Sequence, residues 1–198
     1  MSTDAVMPGL SSTPASLAPA SAGMIRTILH HRRRLHGWPR WLDGLNKIDI
    51  IGNMISKRVV LDTNVLVAAG RSRNGASFAL LQALHEERFC LLVSVPLFLE
   101  YEAVLKRPEQ LVAGQRSAGM VDRFLDALAL HSEPVHLFYL WRPQLRDAAD
   151  EMVLETALNG RADALISFNL DDFDAARKFA LPVLTPAAFL QLLNKGHT

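Results

Sequence analysis

From Arg58 onward, the apolar residues of this chain follow two alternating spacings. Short runs with consecutive apolar residues, such as VVL in RVVLD and CLLV in CLLVS, are typical of strands buried on both faces. Between them lie longer segments in which apolar residues recur every three or four positions, which is the spacing of one face of an α-helix. This alternation predicts a parallel sheet of about five strands that is covered by helices on both sides.

The same pattern predicts the position of each element. The predicted strands are RVVLD (58–62), CLLVS (90–94), VHLFYLW (135–141), ADALISF (162–168) and PVLT (182–185). The predicted helices are GASFALLQALHEERF (75–89), VPLFLEYEAVLKR (95–107), SAGMVDRFLDALALH (117–131), DAADEMVLETALNG (147–160), DDFDAARKFA (171–180) and PAAFLQLL (186–193). Gly160 stands where a glycine commonly ends a helix.

The first 57 residues differ from the rest. STDAVMPGLSSTPASLAPASAG is rich in Ser, Ala, Pro and Gly, a composition that predicts disorder, and the stretch after it carries RRR and two tryptophans. We therefore expect an N-terminal extension, disordered or partly helical, over residues 1–57 and a folded domain over 58–198. The extension is either a poorly ordered appendage or an arm that contacts phosphates or a partner. Met54, just before the folded domain, is a candidate for the native start of translation, with Met1 as the alternative.

Composition narrows the function classes. The chain has 21 basic and 20 acidic side chains, so it lacks the overall positive charge typical of nucleic-acid-binding proteins, and such binding would need a local patch. The single cysteine, Cys90, excludes an internal disulfide and is expected to pack as a small hydrophobe. No apolar run approaches the roughly 20 residues of a membrane-spanning helix, and the N-terminus lacks a signal peptide's pattern. These features predict a cytoplasmic protein without a membrane partner.

Carboxylates stand at four predicted strand-to-helix junctions. Asp62 ends the first strand, and Glu100 lies early in the helix after the second. The others are Asp147 and Asp150 after the third strand, and Asp171 and Asp172 after the fourth. Such acids commonly cap helices or favour their N-terminal turns. Because the carboxyl ends of parallel strands meet at one edge of a sheet, these acids alternatively form a site for a hard cation such as Mg²⁺ or Mn²⁺.

Four segments, VVLDTNVLVAA, LLVSVPLFLEYEAVL, RDAADEMVLETAL and ADALISFNLDDF, together resemble the PIN-domain family, and most closely the toxins of bacterial toxin–antitoxin pairs. The resemblance extends from about residue 58 to about residue 193. It implies a three-layer α/β/α sandwich with a central, mainly parallel sheet. It also implies a ribonuclease that depends on Mg²⁺ or Mn²⁺, an RNA substrate and a cognate antitoxin protein. Dimerisation is common in the family and is expected on that ground.

The resemblance assigns roles to the acids. Asp62, Glu100 and Asp150 match the first three acids of the family, which bind the metal and are catalytic. Glu102 is a second candidate for the second of these positions. Asp147, one helical turn before the third acid, is expected to be its neighbour in the site.

The fourth acid of the family is missing. Many members have Thr-x-Asp after the fourth strand, whereas this chain has SFN, ending in the neutral Asn169. Asp172, or Asp163 at the start of that strand, is a candidate to supply the carboxylate. Asn64 is expected to brace the loop that carries Asp62.

Because the fourth acid is missing, two functions remain open. The first is hydrolysis of RNA by a metal-dependent endoribonuclease, and the alternative is a weakly active or inactive module of the same fold that binds RNA or protein. Arg71, Arg73, Lys106 and Arg107 are candidate phosphate contacts, although each residue is equally typical of an ordinary solvated surface.

Overall fold

The computed structural model describes residues 56–195. Almost all of the predicted N-terminal extension, together with Met54, lies outside the described residues, as do residues 196–198. None of the described helices is long and apolar enough to cross a membrane.

Five parallel strands form the centre of the fold. They are β1 (Arg58–Leu61), β2 (Cys90–Ser94), β3 (Ser132–Val135), β4 (Ala164–Ile166) and β5 (Val183–Leu184). Their order is β3-β2-β1-β4-β5, so β1 is the middle strand and is paired on both sides. All four neighbouring pairs are parallel, which confirms the predicted sheet.

Helices flank this sheet, as the sequence predicted. They are α1 (Thr63–Arg71), α2 (Ala76–His85), α3 (Val95–Leu105), α4 (Pro108–Ala113), α5 (Ala118–Leu130), α6 (Glu151–Asn159) and α7 (Pro186–Lys195). A 3₁₀ helix with a kink, Asp171–Phe179, stands where a short α-helix was predicted. The α1 and α4 helices were not predicted as elements.

The core lies where the sequence is apolar on both faces. Val59, Val60 and Leu61 of β1 are fully buried, as are Leu91 and Leu92 of β2. Helices on both sides of the sheet are needed to remove such strands from water. Cys90 is the first residue of β2 and is partly buried. Its burial is the main cause, and the negative charge of Glu133 the second, of a thiol pKa raised to about 12. A protonated, packed thiol agrees with the predicted packing role.

The third strand lies earlier than predicted, at Ser132–Val135 and not at residues 135–141. Strand β2 ends at Ser94, which is paired with Val135, so the residues that follow have no strand beside them. Phe138, Tyr139 and Leu140 are instead 80%, 68% and 65% exposed. Their apolar and aromatic composition is typical of a strand, but the length of β2 decides where β3 ends.

The fourth predicted helix is shorter than expected. It begins at Glu151, four residues late, and ends before Gly160 as predicted. The backbone of Gly160, however, is in the right-handed helical region, and the residue with positive φ is Arg161, at 51°. Gly160 is needed for a close approach: a Cβ there would lie 2.8 Å from Leu92 Cδ1 and 2.9 Å from Val135 Cγ2.

Candidate active site

Asp62 lies directly after β1, at the carboxyl edge of the sheet. Its backbone N–H donates to the carbonyl of Ile166 (2.8 Å), so the pairing of β1 with β4 extends one residue beyond the strand. Asp62 is 5% exposed, and its carboxylate makes no capping hydrogen bond of standard geometry to α1. The N–H groups of Thr63 and Asn64 still favour its charge, but burial opposes that charge more strongly. Helix capping is therefore not sufficient to account for this buried acid.

Ser167 orients the Asp62 carboxylate. The buried Ser167 hydroxyl donates to Asp62 Oδ2 (2.6 Å), and its oxygen accepts from Asn64 Nδ2 (3.1 Å) and from the backbone N–H of Asn169 (2.9 Å). Asn64 therefore reaches Asp62 through the serine. This network joins the ends of β1 and β4 and fixes the direction of the carboxylate.

The environment of Asp62 disfavours its charge. Burial raises the pKa of Asp62, and the nearby negative charge of Asp172 raises it further. The hydrogen bond from Ser167 and the N–H groups of Asn64 and Thr63 act in the opposite direction. The net effect is a raised pKa, which is the behaviour of a carboxylate in need of a positive partner.

Asp150, which immediately precedes α6, is the centre of an acidic cluster. It makes no capping hydrogen bond. Its pKa is raised to about 6, first by burial and then by repulsion from four other carboxylates: Asp62, Asp147, Asp172 and Glu100. The acidic cluster, defined as these five side chains, thus draws members from all four junctions.

The structure distinguishes the two candidates on α3. Glu100 is one of the charges that act on Asp150. Glu102 instead accepts a hydrogen bond from Lys106 (2.7 Å), which also pairs with Asp122 at 2.6 Å. Of the two glutamates, the structure brings Glu100 to the acidic cluster.

The two candidates for the missing fourth carboxylate lie at opposite ends of β4. Asp163 precedes the strand, and its Oδ2 accepts the backbone N–H of Arg58 (2.8 Å) at the amino edge of the sheet. A role for Asp163 in the site is therefore incorrect, because β4 separates it from the carboxyl edge. Asp172 lies in the acidic cluster, whereas Asn169 has an exposed side chain and contributes its backbone N–H to Ser167.

The four basic candidates are not gathered at the acids. Arg71 ends α1, roughly 12 Å along the helix axis from its first residue, and donates to Gln110 Oε1 (3.2 and 3.0 Å). Lys106 is paired with Glu102 and Asp122, and Arg73 and Arg107 are exposed. The charges that act on Asp62 and Asp150 include none of these four side chains.

The donor set suits a hard cation that keeps most of its water. Among residues 56–195, no three His, Cys, Asp or Glu side chains are gathered closely enough to hold a metal ion by themselves. Mg²⁺ commonly uses only one or two protein carboxylates together with several waters, so such a closed cage is not required. Burial and neighbouring carboxylates raise the pKa of Asp62 and of Asp150, and a divalent cation relieves such an environment. The cluster therefore fits Mg²⁺ or Mn²⁺.

Two supporting residues were not assigned roles from the sequence. Ser167 begins the altered SFN motif, and a hydroxyl directly after an apolar strand is a signal for an orienting group. Tyr101 is fully buried in α3, and its hydroxyl donates to the carbonyl of Leu61, the residue before Asp62. A tyrosine within an apolar helical face usually has such a partner.

Comparison with known proteins gives one family. A family model described as the PIN domain matches residues 58–171. This match is more than half of the chain and begins with β1. It includes four members of the acidic cluster, Asp62, Glu100, Asp147 and Asp150, and ends one residue before the fifth, Asp172. No curated protein matches the chain.

Proposed function

Because this chain belongs to the PIN-domain family, whose members are generally nucleases, we propose that it is a metal-dependent endoribonuclease that hydrolyses phosphodiester bonds of RNA. The observation that carries the proposal is the acidic cluster. Four carboxylates from all four junctions act on Asp150, and together with burial they raise its pKa to about 6. Such perturbed groups are typical of functional sites.

Asp62, Glu100 and Asp150 would hold Mg²⁺ or Mn²⁺ partly through water bound to the ion, with Asp147 and Asp172 beside them. A bound ion of this kind lowers the pKa of water and offsets negative charge on a phosphodiester. Ser167 keeps the Asp62 carboxylate pointing in one direction, and burial of that carboxylate strengthens its attraction for a cation. RNA would lie across the carboxyl edge of the sheet.

Asp172 supports activity despite the neutral Asn169. Its charge acts on both Asp62 and Asp150, the two acids whose pKa is raised. The chain therefore offers a fourth carboxylate three residues after the position at which the family motif has one. We infer that Asp172 takes over the electrostatic part of that role.

The decisive experiment is cleavage of mixed single-stranded RNA by the purified chain with Mn²⁺, with Mg²⁺ and with EDTA. Asp62→Asn is expected to abolish cleavage, because it removes the buried charge at the end of β1. Asp126→Asn is the matched control, since Asp126 is an exposed acid on α5 outside the cluster. Cleavage that persists in EDTA or in Asp62→Asn contradicts the proposal.

The second candidate function is a weakly active or inactive module that binds RNA or protein. Asn169 favours it, because a neutral side chain occupies the usual place of an acid. RNA binding by the wild type without cleavage in either metal would favour this candidate. Asn169→Asp then tests the cause, since restored cleavage would assign the defect to that one charge.

We further propose that the chain is the toxin of a toxin–antitoxin pair and acts on cytoplasmic RNA. The support is the resemblance of four segments, at the ends of β1, β2 and β4 and in α6, to such toxins. Induced expression is expected to arrest growth in the wild type and not in Asp62→Asn. Co-expression of the small gene immediately upstream is expected to restore growth, and the size of the purified chain in solution tests the expected homodimer.

A further inference from the structure

One face of α6 binds the chain segment that leads to Asp147 and Asp150. The segment comprises residues 138–145, which follow β3. Three polar side chains on α6 contact it: Glu151, Glu155 and Asn159. Their spacing of four residues places them on the same face of the helix. We call these three residues the clasp.

Asn159 holds the beginning of the segment. Its Oδ1 accepts from the backbone N–H groups of Phe138 (3.0 Å) and Tyr139 (3.1 Å), and its Nδ2 donates to the carbonyl of Tyr139 (2.9 Å). A side-chain amide thus pairs with the backbone in the way that a neighbouring strand would. This contact accounts for how two exposed aromatic residues are fixed without a strand partner.

Glu155 holds the middle of the segment. Its carboxylate is fully buried and accepts from Arg142 Nε (2.9 Å) and Nη2 (2.7 Å). Bidentate pairing of this kind fixes the orientation of both side chains as well as their distance. The loop is therefore tied to α6 by a pair that would leave a buried charge unpaired if it opened.

Glu151 holds the end of the segment, next to the acidic cluster. Its Oε1 accepts from the backbone N–H groups of Gln144 (2.5 Å) and Leu145 (2.9 Å), while the side chain is 1% exposed. Its Oε2 is buried without a hydrogen-bond partner among the described residues. A buried oxygen without a hydrogen-bond partner reduces the stability of the fold, so Glu151 lowers stability at this position while it binds the segment.

We propose that the clasp residues Glu151, Glu155 and Asn159 are positioning residues, which hold Asp147 and Asp150 opposite Asp62. The contacts run in order, from Asn159 at residues 138 and 139 to Glu151 at residues 144 and 145. The segment is therefore fixed along its length and enters the turn of Asp147 two residues later. The catalytic consequence rests on the proposed nuclease function, whereas the effect on metal binding and on the loop does not.

The test uses the full chain and three readouts. In Glu155→Gln, the amides of Gln144 and Leu145 are expected to exchange hydrogen faster than in the wild type. The Kd for Mn²⁺ alone is expected to rise about tenfold or more, as for other residues that orient metal ligands. The kcat for RNA cleavage is expected to fall by a similar factor with KM unchanged, because the RNA surface remains intact.

Glu133→Gln is the matched control. Glu133 forms the same kind of bidentate pair, with Arg58 (2.7 and 2.8 Å), but at the amino end of β1, away from the acids. It is expected to lower Tm without changing the Kd for Mn²⁺ or kcat. An equal loss in both variants, measured below their Tm values, would show general destabilisation and overturn the proposal.

If Glu155→Gln does not fold, Asn159→Ala provides a second test. Asn159 is partly exposed at the end of α6, so its replacement is less disruptive than a change at the buried Glu155. Faster exchange at Phe138 and Tyr139 with weaker Mn²⁺ binding supports the clasp. Wild-type exchange and Mn²⁺ affinity in folded variants overturn it. If the wild type cleaves no RNA, the nuclease proposal fails while exchange and Mn²⁺ binding still decide the fate of the clasp.

Discussion

The Ser167 hydroxyl donates to Asp62 Oδ2 over 2.6 Å, and these two residues come from adjacent strand ends that lie 105 positions apart in the chain. The bond opposes the effect of burial on the pKa of Asp62. It is therefore both a structural link between β1 and β4 and a control on the charge of the site. Its removal should be visible in stability and in the pH dependence of activity.

Ser167→Ala is expected to raise the pKa of Asp62 further, because the bond that favours the charged form is lost. The acidic limb of the pH–rate profile for Mn²⁺-dependent cleavage should move to higher pH. The free energy of unfolding should fall by about 1.5–3 kcal/mol, the range for a hydrogen bond to a charged group. Ser77→Ala is the control, since the Ser77 hydroxyl is buried without a hydrogen-bond partner among the described residues. If the acidic limb of the pH–rate profile does not move in Ser167→Ala, the Ser167 hydroxyl does not control the pKa of Asp62.

Asp150→Asn is expected to stabilise the metal-free protein at pH 7. The pKa of Asp150 is raised from 3.8 to about 6 in the fold, so the folded state binds the proton more tightly than the unfolded chain. The associated stability is present below pH 3.8 and is lost as pH rises through 6. Because the side chain is partly exposed, solvent screening limits the gain to about 1 kcal/mol.

The measurement is thermal unfolding in EDTA between pH 4 and pH 7.5. The difference in stability between Asp150→Asn and the wild type should be near zero at pH 4 and should grow as pH rises. Asp126→Asn should show no such trend. A difference that is constant with pH would mean that Asp150 does not carry the raised pKa.

Mn²⁺ binding is expected to compete with the proton on Asp150. Above pH 6 the Asp150 carboxylate is charged and can bind Mn²⁺ directly. Below pH 6 the carboxyl group is protonated, and Mn²⁺ must displace that proton. The Kd for Mn²⁺ should therefore rise about tenfold for each pH unit below 6 if one proton is released. Calorimetry in two buffers of different ionisation enthalpy measures both the Kd and the number of protons. A Kd that is flat between pH 5 and pH 7 contradicts this coupling.

The positions of β1, β2, β4 and β5 could be predicted because their sequences are short apolar runs, and a covered parallel sheet buries such segments. The position of β3 could not, because Ser132–Val135 is largely polar and the end of the strand depends on where β2 ends, not on the composition of residues 136–141. Helix α1 was missed because TNVLVAAGR follows an apolar strand directly. Its buried residues Val65, Leu66 and Ala69 nevertheless have helical spacing.

The acids of the site could be placed because junctions after parallel strands share one edge of the sheet. This shared edge is sufficient to predict that Asp62, Glu100 and Asp150 lie near one another. It does not predict that Asp163 faces the other edge or that Lys106 is neutralised by neighbours on α3 and α5. Those contacts depend on which side chains of different helices and strands pack together, and the spacing of residues along the sequence does not determine this.

Gly160→Ala is expected to destabilise the fold, although alanine is the better helix former. A Cβ at residue 160 would lie 2.9 Å from the backbone carbonyl oxygen of Thr156 and 2.8 Å from Leu92 Cδ1, and the carbonyl cannot move without opening the last turn of α6. Overpacking of this kind costs about 1–3 kcal/mol.

Gly119→Ala is the matched control, because a Cβ there meets nothing within 4 Å and the residue lies in helix α5. This change should stabilise the protein by about 0.5–1 kcal/mol through the higher helix propensity of alanine. Urea unfolding of both variants measures the opposite signs directly. Equal stabilisation by the two substitutions would show that α6 can shift away from β2 and β3, and that its packing does not fix the end of the helix.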